Sequence, residues 1–180
     1  MDKINGNEDR IIWNGCLKGD LDYVEILYRR YYAFLVGYGV SICGNKEEAV
    51  DYCQTLFLNI ITNYKKLSKT DYVKAYLLRS YRNLFIDNYR TKRVYTNLED
   101  LELEDLEWNN ELANKYDIEV LKESFNQLSY RQKEIVYLFY FKELSHAEIA
   151  VILDMNVQSS RNLLSMTMSE FRRLFNKMYY

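Results

Sequence analysis

Proline is absent from the 180 residues, where average usage would give about nine. Glycine is confined to the first quarter, at Gly6, Gly15, Gly19, Gly37, Gly39 and Gly44. From Asn45 to the end there is neither residue. Sheet proteins depend on tight turns, and glycine and proline make most of them. Their absence implies an all-α chain whose helices are joined by short polar loops. Histidine occurs once, as His146, and the three cysteines (Cys16, Cys43, Cys53) have no metal-type spacing. No zinc or other metal site is expected, and the thiols read as reduced, buried groups of a cytoplasmic protein. Residues 1–10 are charged and lack the apolar stretch of a secretory signal. The longest uncharged run, residues 31–45, is too short to cross a bilayer, so direct membrane insertion is not expected. There is no glycine-rich phosphate loop, no metal cluster and no nucleophile beside a base, which argues against an enzyme and against any cofactor.

What is present is an ordinary globular composition, 48% hydrophobic and 28% charged. The net charge of −2 hides a strong asymmetry. Residues 1–93 carry 15 basic and 11 acidic side chains, residues 94–119 carry one and nine, and residues 120–180 carry eight and six. One acidic segment therefore separates two mildly basic blocks. The expected organisation is two small helical domains, 8–93 and 118–180, joined by an acidic linker, 94–117.

In the first block, Gly19 and Asp20-Leu21-Asp22 mark a helix start, followed by Leu21, Val24, Leu27, Tyr28, Tyr31, Leu35 and Tyr38 at helical spacing. Asn45 with Glu48 forms a capping box for the next helix. Its stripe of Ala49, Cys53, Leu56, Phe57, Ile60, Ile61 and Tyr64 predicts a buried face. After a polar loop over 65–71, a helix is predicted from about Tyr72 to Lys92. Beyond the acidic segment, helices are predicted over 118–126, 130–141, 146–153 and 157–177. Ser129/Gln132 and Ser145/Glu148 are their capping boxes, and Asn156 caps the last.

Three features point toward function. On an ideal helix, Arg79, Arg82, Arg90 and Arg93 share an arc of about 80°, opposite Val73, Leu77, Tyr81, Leu84 and Phe85. Phosphate binding needs such a cationic face, and a solvated outer face would look the same. Residues 146–168 form a candidate helix-turn-helix, with Ala150 small at the crossing and Asp154 at the turn position that glycine often takes. Leu164, Met168, Phe171 and Phe175 are expected to face the core. Gln158, Arg161, Asn162, Ser165 and Arg172 lie opposite them, and arginine, glutamine and asparagine are side chains that read base edges in the major groove. A purely structural helical hairpin would share the spacing. On the Asn45 helix, Asp51, Gln54 and Leu58 project together with Phe57 at the edge, which suits either a protein partner or plain solvent exposure.

The motifs resemble those of extracytoplasmic-function sigma factors, the small two-domain class of bacterial sigma factors. Asp51-Tyr52-Cys53-Gln54-Thr55-Leu56-Phe57 is similar to that family's Asp-x-x-Gln-x-x-Phe signature. Ala75-Tyr76-Leu77, Arg82-Asn83, Asp87 and Arg90 resemble its helix ending in Arg-Asn and a basic tail. Leu128-Ser129-Tyr130-Arg131-Gln132 resembles its Leu-Pro-x-Arg-Gln opening, and Leu144-Ser145-His146-Ala147-Glu148-Ile149-Ala150 its Leu-Ser-x-x-Glu-Ile-Ala signature. The likeness spans about residues 10–177, with the pieces in order.

The resemblance implies a dissociable subunit that brings the RNA polymerase core to promoter DNA and helps open it. Asp51, Gln54, Phe57 and Leu58 would bind the clamp of the core. The 63–71 loop and the following helix would engage the downstream promoter element and capture a flipped base. Asn63, Tyr64, Tyr72 and Tyr76 would supply aromatic and amide contacts, and Arg79, Arg82, Asn83, Arg90 and Arg93 the basic face. Gln158, Ser159, Arg161, Asn162, Ser165 and Arg172 would read the upstream element. The acidic linker would thread cationic channels of the polymerase. Many members of the family are held inactive by an anti-sigma factor, which the resemblance implies as a partner. The chain departs from the pattern at Ser129 (usually Pro), Asp154 (usually Gly) and Ser160 (usually apolar), and Ser165 and Thr167 make the last helix less basic than is common. The rival reading is a stand-alone helix-turn-helix regulator binding intact duplex as a dimer.

Overall fold

A computed structural model describes residues 6–92 and 118–179, and all regular structure among them is helical. The chain divides into two compact units, Met1–Val94 and Tyr95–Tyr180. The acidic segment 94–117 and Arg93 lie outside the described residues, as does the side chain of Arg90.

The first unit contains α1 (Gly6–Cys16), α2 (Leu21–Cys43), α3 (Lys46–Thr62), a 3₁₀ turn (Tyr64–Lys66) and α4 (Val73–Lys92). Helix α2 begins where Asp20 accepts the Asp22 N–H at 3.1 Å. It ends at Gly44, whose φ of 65° is the left-handed cap that glycine adopts without strain. Asn45 caps α3 through the Glu48 N–H at 3.0 Å. The core is aromatic: Trp13, Tyr31, Tyr38, Tyr81 and Phe85 are almost wholly buried. The hydroxyl of Tyr81 donates to the Ala49 carbonyl at 2.7 Å, tying α4 to α3, and passes Gly39 of α2 so closely that a Cβ there would lie 2.2 Å from it.

Two expected core positions are corrected. Leu21, in the first turn of α2, is 61% exposed, and Ile61, in the last turn of α3, is 39% exposed. Both sit at helix ends. Helix α1 was not expected at all, yet it completes the core. Its Asp9 is buried, accepts the Tyr31 hydroxyl, and has Oδ1 3.2 Å from Arg30 Nη1. Arg30 also reaches Glu8 at 2.8 Å.

Cys16 and Cys53 are fully buried, and loss of hydration pushes both thiols up to about 11. The thiolate is the reactive form, so at pH 7.5 neither should react with a thiol reagent in the native chain. Both should react in denaturant, as peptide mass mapping would report. Labelling of native Cys16 or Cys53 at the denatured rate would contradict this burial.

The second unit comprises α5 (Ile118–Asn126), α6 (Tyr130–Val136), a π-helical turn (Tyr137–Phe141), α7 (His146–Ile152) and α8 (Val157–Tyr179). The expected continuous helix over 130–141 is therefore α-helical only to Val136. The widened turn closes through the Lys142 N–H to the Tyr137 carbonyl five residues back, at 3.1 Å, with the Tyr137 and Phe141 rings stacked at 5.9 Å. Bulky side chains crowd this stretch, and Lys133 to Leu138 are all buried.

Candidate nucleic-acid and polymerase interfaces

Three surfaces carry the residues singled out from the sequence. On α3, Asp51, Gln54 and Leu58 are exposed, Leu58 to 60%, while Tyr52, Cys53, Leu56 and Phe57 turn inward. Phe57 does not sit at the edge of the outer face. It is 5% exposed and packs edge-on against Tyr28, with ring centres 5.0 Å apart. The aspartate, amide and leucine therefore form the accessible face, and the phenylalanine supports it from beneath.

The second surface runs from the end of α3 into α4. Asn63 and Tyr72 are exposed, and Tyr64 and Tyr76 are half-buried. On an ideal helix, Tyr76, Arg79, Asn83 and the backbone position of Arg90 fall within an arc of about 60°, with Arg82 displaced to one side. Arg79 and Arg82 are half-buried and Asn83 is exposed. The opposite face is wider than expected, since Ala75 and Leu78 join Val73, Leu77, Tyr81 and Phe85 in the core while Leu84 is only half-buried. Lys65, Lys66 and Lys69 are exposed on the loop, so the loop and the helix face are both cationic.

What holds this loop is α1, which the sequence pattern did not predict. Trp13 of α1 donates its indole N–H to the Ser68 carbonyl at 3.0 Å, and its ring lies 4.9 Å from that of Tyr76. Arg10 pairs with Asp71 at 2.6 Å. Gly19 faces the Tyr64 ring, where a Cβ would come within 2.9 Å. The spacing of Asp9, Ile12, Trp13 and Cys16 is the signal that could have revealed α1.

The third surface is the helix-turn-helix. Ser145 and Glu148 complete a reciprocal capping box at the start of α7. Asp154 adopts φ 54° in the turn, as a glycine there would. The Met155 N–H returns to the Ala150 carbonyl at 3.0 Å, and Asn156 caps α8 by accepting the Ser159 N–H at 2.7 Å. The face of α8 turned inward is Ser160, Leu164, Thr167 and Leu174, with Met168, Phe171 and Phe175 only half-buried. Ser160 packs without loosening the hairpin, because its hydroxyl lies 3.0 Å from His146 Nδ1 and the imidazole stacks on Phe139 at 4.9 Å.

Gln158, Arg161, Asn162, Ser165 and Arg172 are exposed along one side of α8, and Ser159 is half-buried. Gln158 donates to Asn162 Oδ1 at 2.9 Å, which aligns the two amides. Arg173 is held by Glu170 through contacts of 2.6 and 2.8 Å. Arg161 and Arg172 make no ion pair with the described residues. An anion or a base edge would therefore meet them without first breaking an internal pair.

Known proteins share this layout. Residues 27–94 match the family model for Sigma-70 region 2, and residues 118–170 match that for Sigma-70, region 4. RNA polymerase sigma factor YlaC of Bacillus subtilis (strain 168) is 24% identical over 162 residues, covering 87% of this chain and 94% of YlaC. Among solved structures, CnrH in complex with the cytosolic domain of CnrY superposes with a TM-score of 0.66 at 17% identity, over 94% of this chain and 97% of CnrH. The sigma factor RpoE, in complex with the anti-sigma factor NepR from Bartonella quintana, superposes with a TM-score of 0.57 at 15% identity, over 84% and 96%. Among the described residues no helix is long and apolar enough to cross a membrane. With two regions of one family matched in order over about two thirds of its length, this chain belongs to the sigma-70 family, as a transcription regulator of the extracytoplasmic-function type that directs RNA polymerase to promoters.

Proposed function

We propose that the three surfaces divide the work of initiation in the cytoplasm. The outer face of α3 docks on the clamp of the polymerase core through Asp51, Gln54 and Leu58. The 63–72 segment and the cationic side of α4 hold the melted downstream strand through Asn63, Tyr64, Tyr72, Tyr76, Arg79, Arg82 and Asn83. The exposed side of α8 reads the upstream element. Duplex opening then draws on binding energy that favours an unstacked base on aromatic and amide partners over a stacked one. An anti-sigma protein, of the kind that RpoE carries, is the third partner in this reading, and it would compete with the core.

The observation that carries the reading is Leu58. A leucine exposed to 60% beside a carboxylate and an amide, on a helix whose other faces are packed, is the pattern of a partner-binding patch. The test is binding of the full chain to bacterial core polymerase, beside an Asp51→Ala, Gln54→Ala, Leu58→Ala variant. All three residues are exposed, so the variant should fold normally. Phe57 is left intact, because removing a buried phenylalanine costs about 3–5 kcal/mol and would confuse unfolding with lost contact. Affinity is expected to fall by about 10- to 100-fold, the effect of losing a small hot spot. Unchanged affinity in the folded variant would move the interface elsewhere. No binding by the wild type, to a core active with another sigma factor, would favour a stand-alone helix-turn-helix regulator.

A further inference from the structure

The segment between α3 and α4 contains neither glycine nor proline, and its own bonding is sparse. The Lys66 and Leu67 N–H groups close the 3₁₀ turn, and the Tyr72 N–H bonds the Thr70 hydroxyl. A loop without glycine or proline and with so few internal bonds has no strong shape of its own. Its shape comes from α1 and the turn that follows it. These elements meet the loop at its start, where Tyr64 lies against Gly19. They meet it in the middle, where Trp13 bonds Ser68, and near its end, where Arg10 pairs with Asp71. Gly19 has φ 79°, so a side chain there would strain the backbone as well as displace the tyrosine ring. Trp13 is the centre of this arrangement. It is 1% exposed, and besides bonding the loop it packs on Tyr76, the aromatic residue that leads from the loop into the cationic face of α4.

We infer that Trp13 is a positioning residue for base selection: it touches no DNA, but it fixes the loop in the one shape in which Asn63, Tyr64 and Tyr76 surround a single flipped base. This rests on the reading of the 63–72 segment given above. A loop held at three points discriminates among bases because its contacts cannot shift to suit the wrong one. Released from α1, it would still attract a strand through Lys65, Lys66 and Lys69, and it would accept bases more evenly.

The test uses the full chain assembled with core polymerase. The probe is a DNA pool with duplex upstream and a randomised single-stranded non-template segment, sequenced after capture. Trp13→Phe keeps an aromatic ring in the core and removes the N–H donor. Arg10→Ala frees the far end of the loop from the surface, without touching the core. Tyr64→Ala serves as the loop's own variant. The wild type is expected to enrich one base at a position in the single-stranded segment. Trp13→Phe should reduce that enrichment by about threefold to tenfold, the effect of one lost hydrogen bond. Arg10→Ala should reduce it less. Core affinity and total DNA captured should stay within about twofold in both, and a merely structural defect would lower these as well. Should Tyr64→Ala abolish the preference while Trp13→Phe and Arg10→Ala leave it intact, the positioning role is overturned and the loop reading stands. If Tyr64→Ala leaves it intact too, the loop reading itself falls. If Trp13→Phe fails to fold, the same comparison is decided by Arg10→Ala.

Discussion

Gly39→Ala is expected to destabilise the first unit by about 1–2 kcal/mol, although alanine is the better helix former. At an open position inside a helix the exchange would stabilise by about 1 kcal/mol. Here the new methyl would lie 2.2 Å from the Tyr81 hydroxyl, 2.8 Å from the Ala49 methyl and 3.0 Å from the Tyr81 ring. Either the helices part, which costs about 1–3 kcal/mol as overpacking, or the hydroxyl swings off the Ala49 carbonyl and is left buried without a partner, at a similar cost. Both penalties exceed the gain in propensity, so the sign is decided by packing. Urea unfolding followed by Trp13 fluorescence, in a Trp108→Phe background, would measure it. The same exchange in Tyr81→Phe should cost about 1 kcal/mol less, because the closest clashing atom is gone and no hydroxyl remains to strand. A Gly39→Ala chain as stable as the wild type would mean that α2, α3 and α4 are not joined through this point.

That junction marks how far a sequence can be read without the fold. The helix starts at Asp20, Asn45, Ser145 and Asn156 were legible because capping is local: acceptor and donor are three residues apart or fewer. The αL turn at Asp154 was legible for the same reason, since the motif places a tight turn there. Helix α1 was not. Its inward positions are Asp9, Ile12, Trp13 and Cys16, a sound helical period spoiled by one carboxylate. A buried aspartate makes sense only once the Tyr31 hydroxyl and Arg30 stand beside it, and those lie more than twenty residues away. Phe57 was placed both in the buried stripe and at the edge of the outer face, and the structure buries it. Its angular position lies near the boundary of the stripe, and Tyr28 on a neighbouring helix decides that it is covered. Ser160 stood out as a polar residue at a usually apolar position, and His146 within hydrogen-bond reach accounts for it. In each case the missing information was a partner distant in sequence, and such a partner, Trp13, also holds the 63–72 segment.

On the face of α8 proposed to read the upstream element, Arg161 and Arg172, which make no ion pair with the described residues, should separate by function. Arg161 lies in the first turns of the helix that follows the helix-turn-helix turn, near the aligned amides of Gln158 and Asn162. The N-terminal residues of such a helix reach base edges, and a bidentate arginine contact discriminates by about 1–3 kcal/mol. Arg161→Ala is therefore expected to weaken holoenzyme binding to its preferred upstream duplex by about 10- to 100-fold, and to flatten preference at one base pair. Arg172 lies eleven residues further along, about 16 Å up the helix axis, beyond the reach of the same base edges. Its loss should weaken all sequences alike and reduce the salt dependence by about one phosphate contact. Arg173→Ala is the control, because its guanidinium is already engaged by Glu170 on the exposed surface. Selection from a randomised upstream duplex at two salt concentrations would distinguish the three. A loss of base preference in Arg172→Ala but not in Arg161→Ala would reverse the orientation of α8 in the groove, and equal effects in all three would reduce the helix to a nonspecific basic contact.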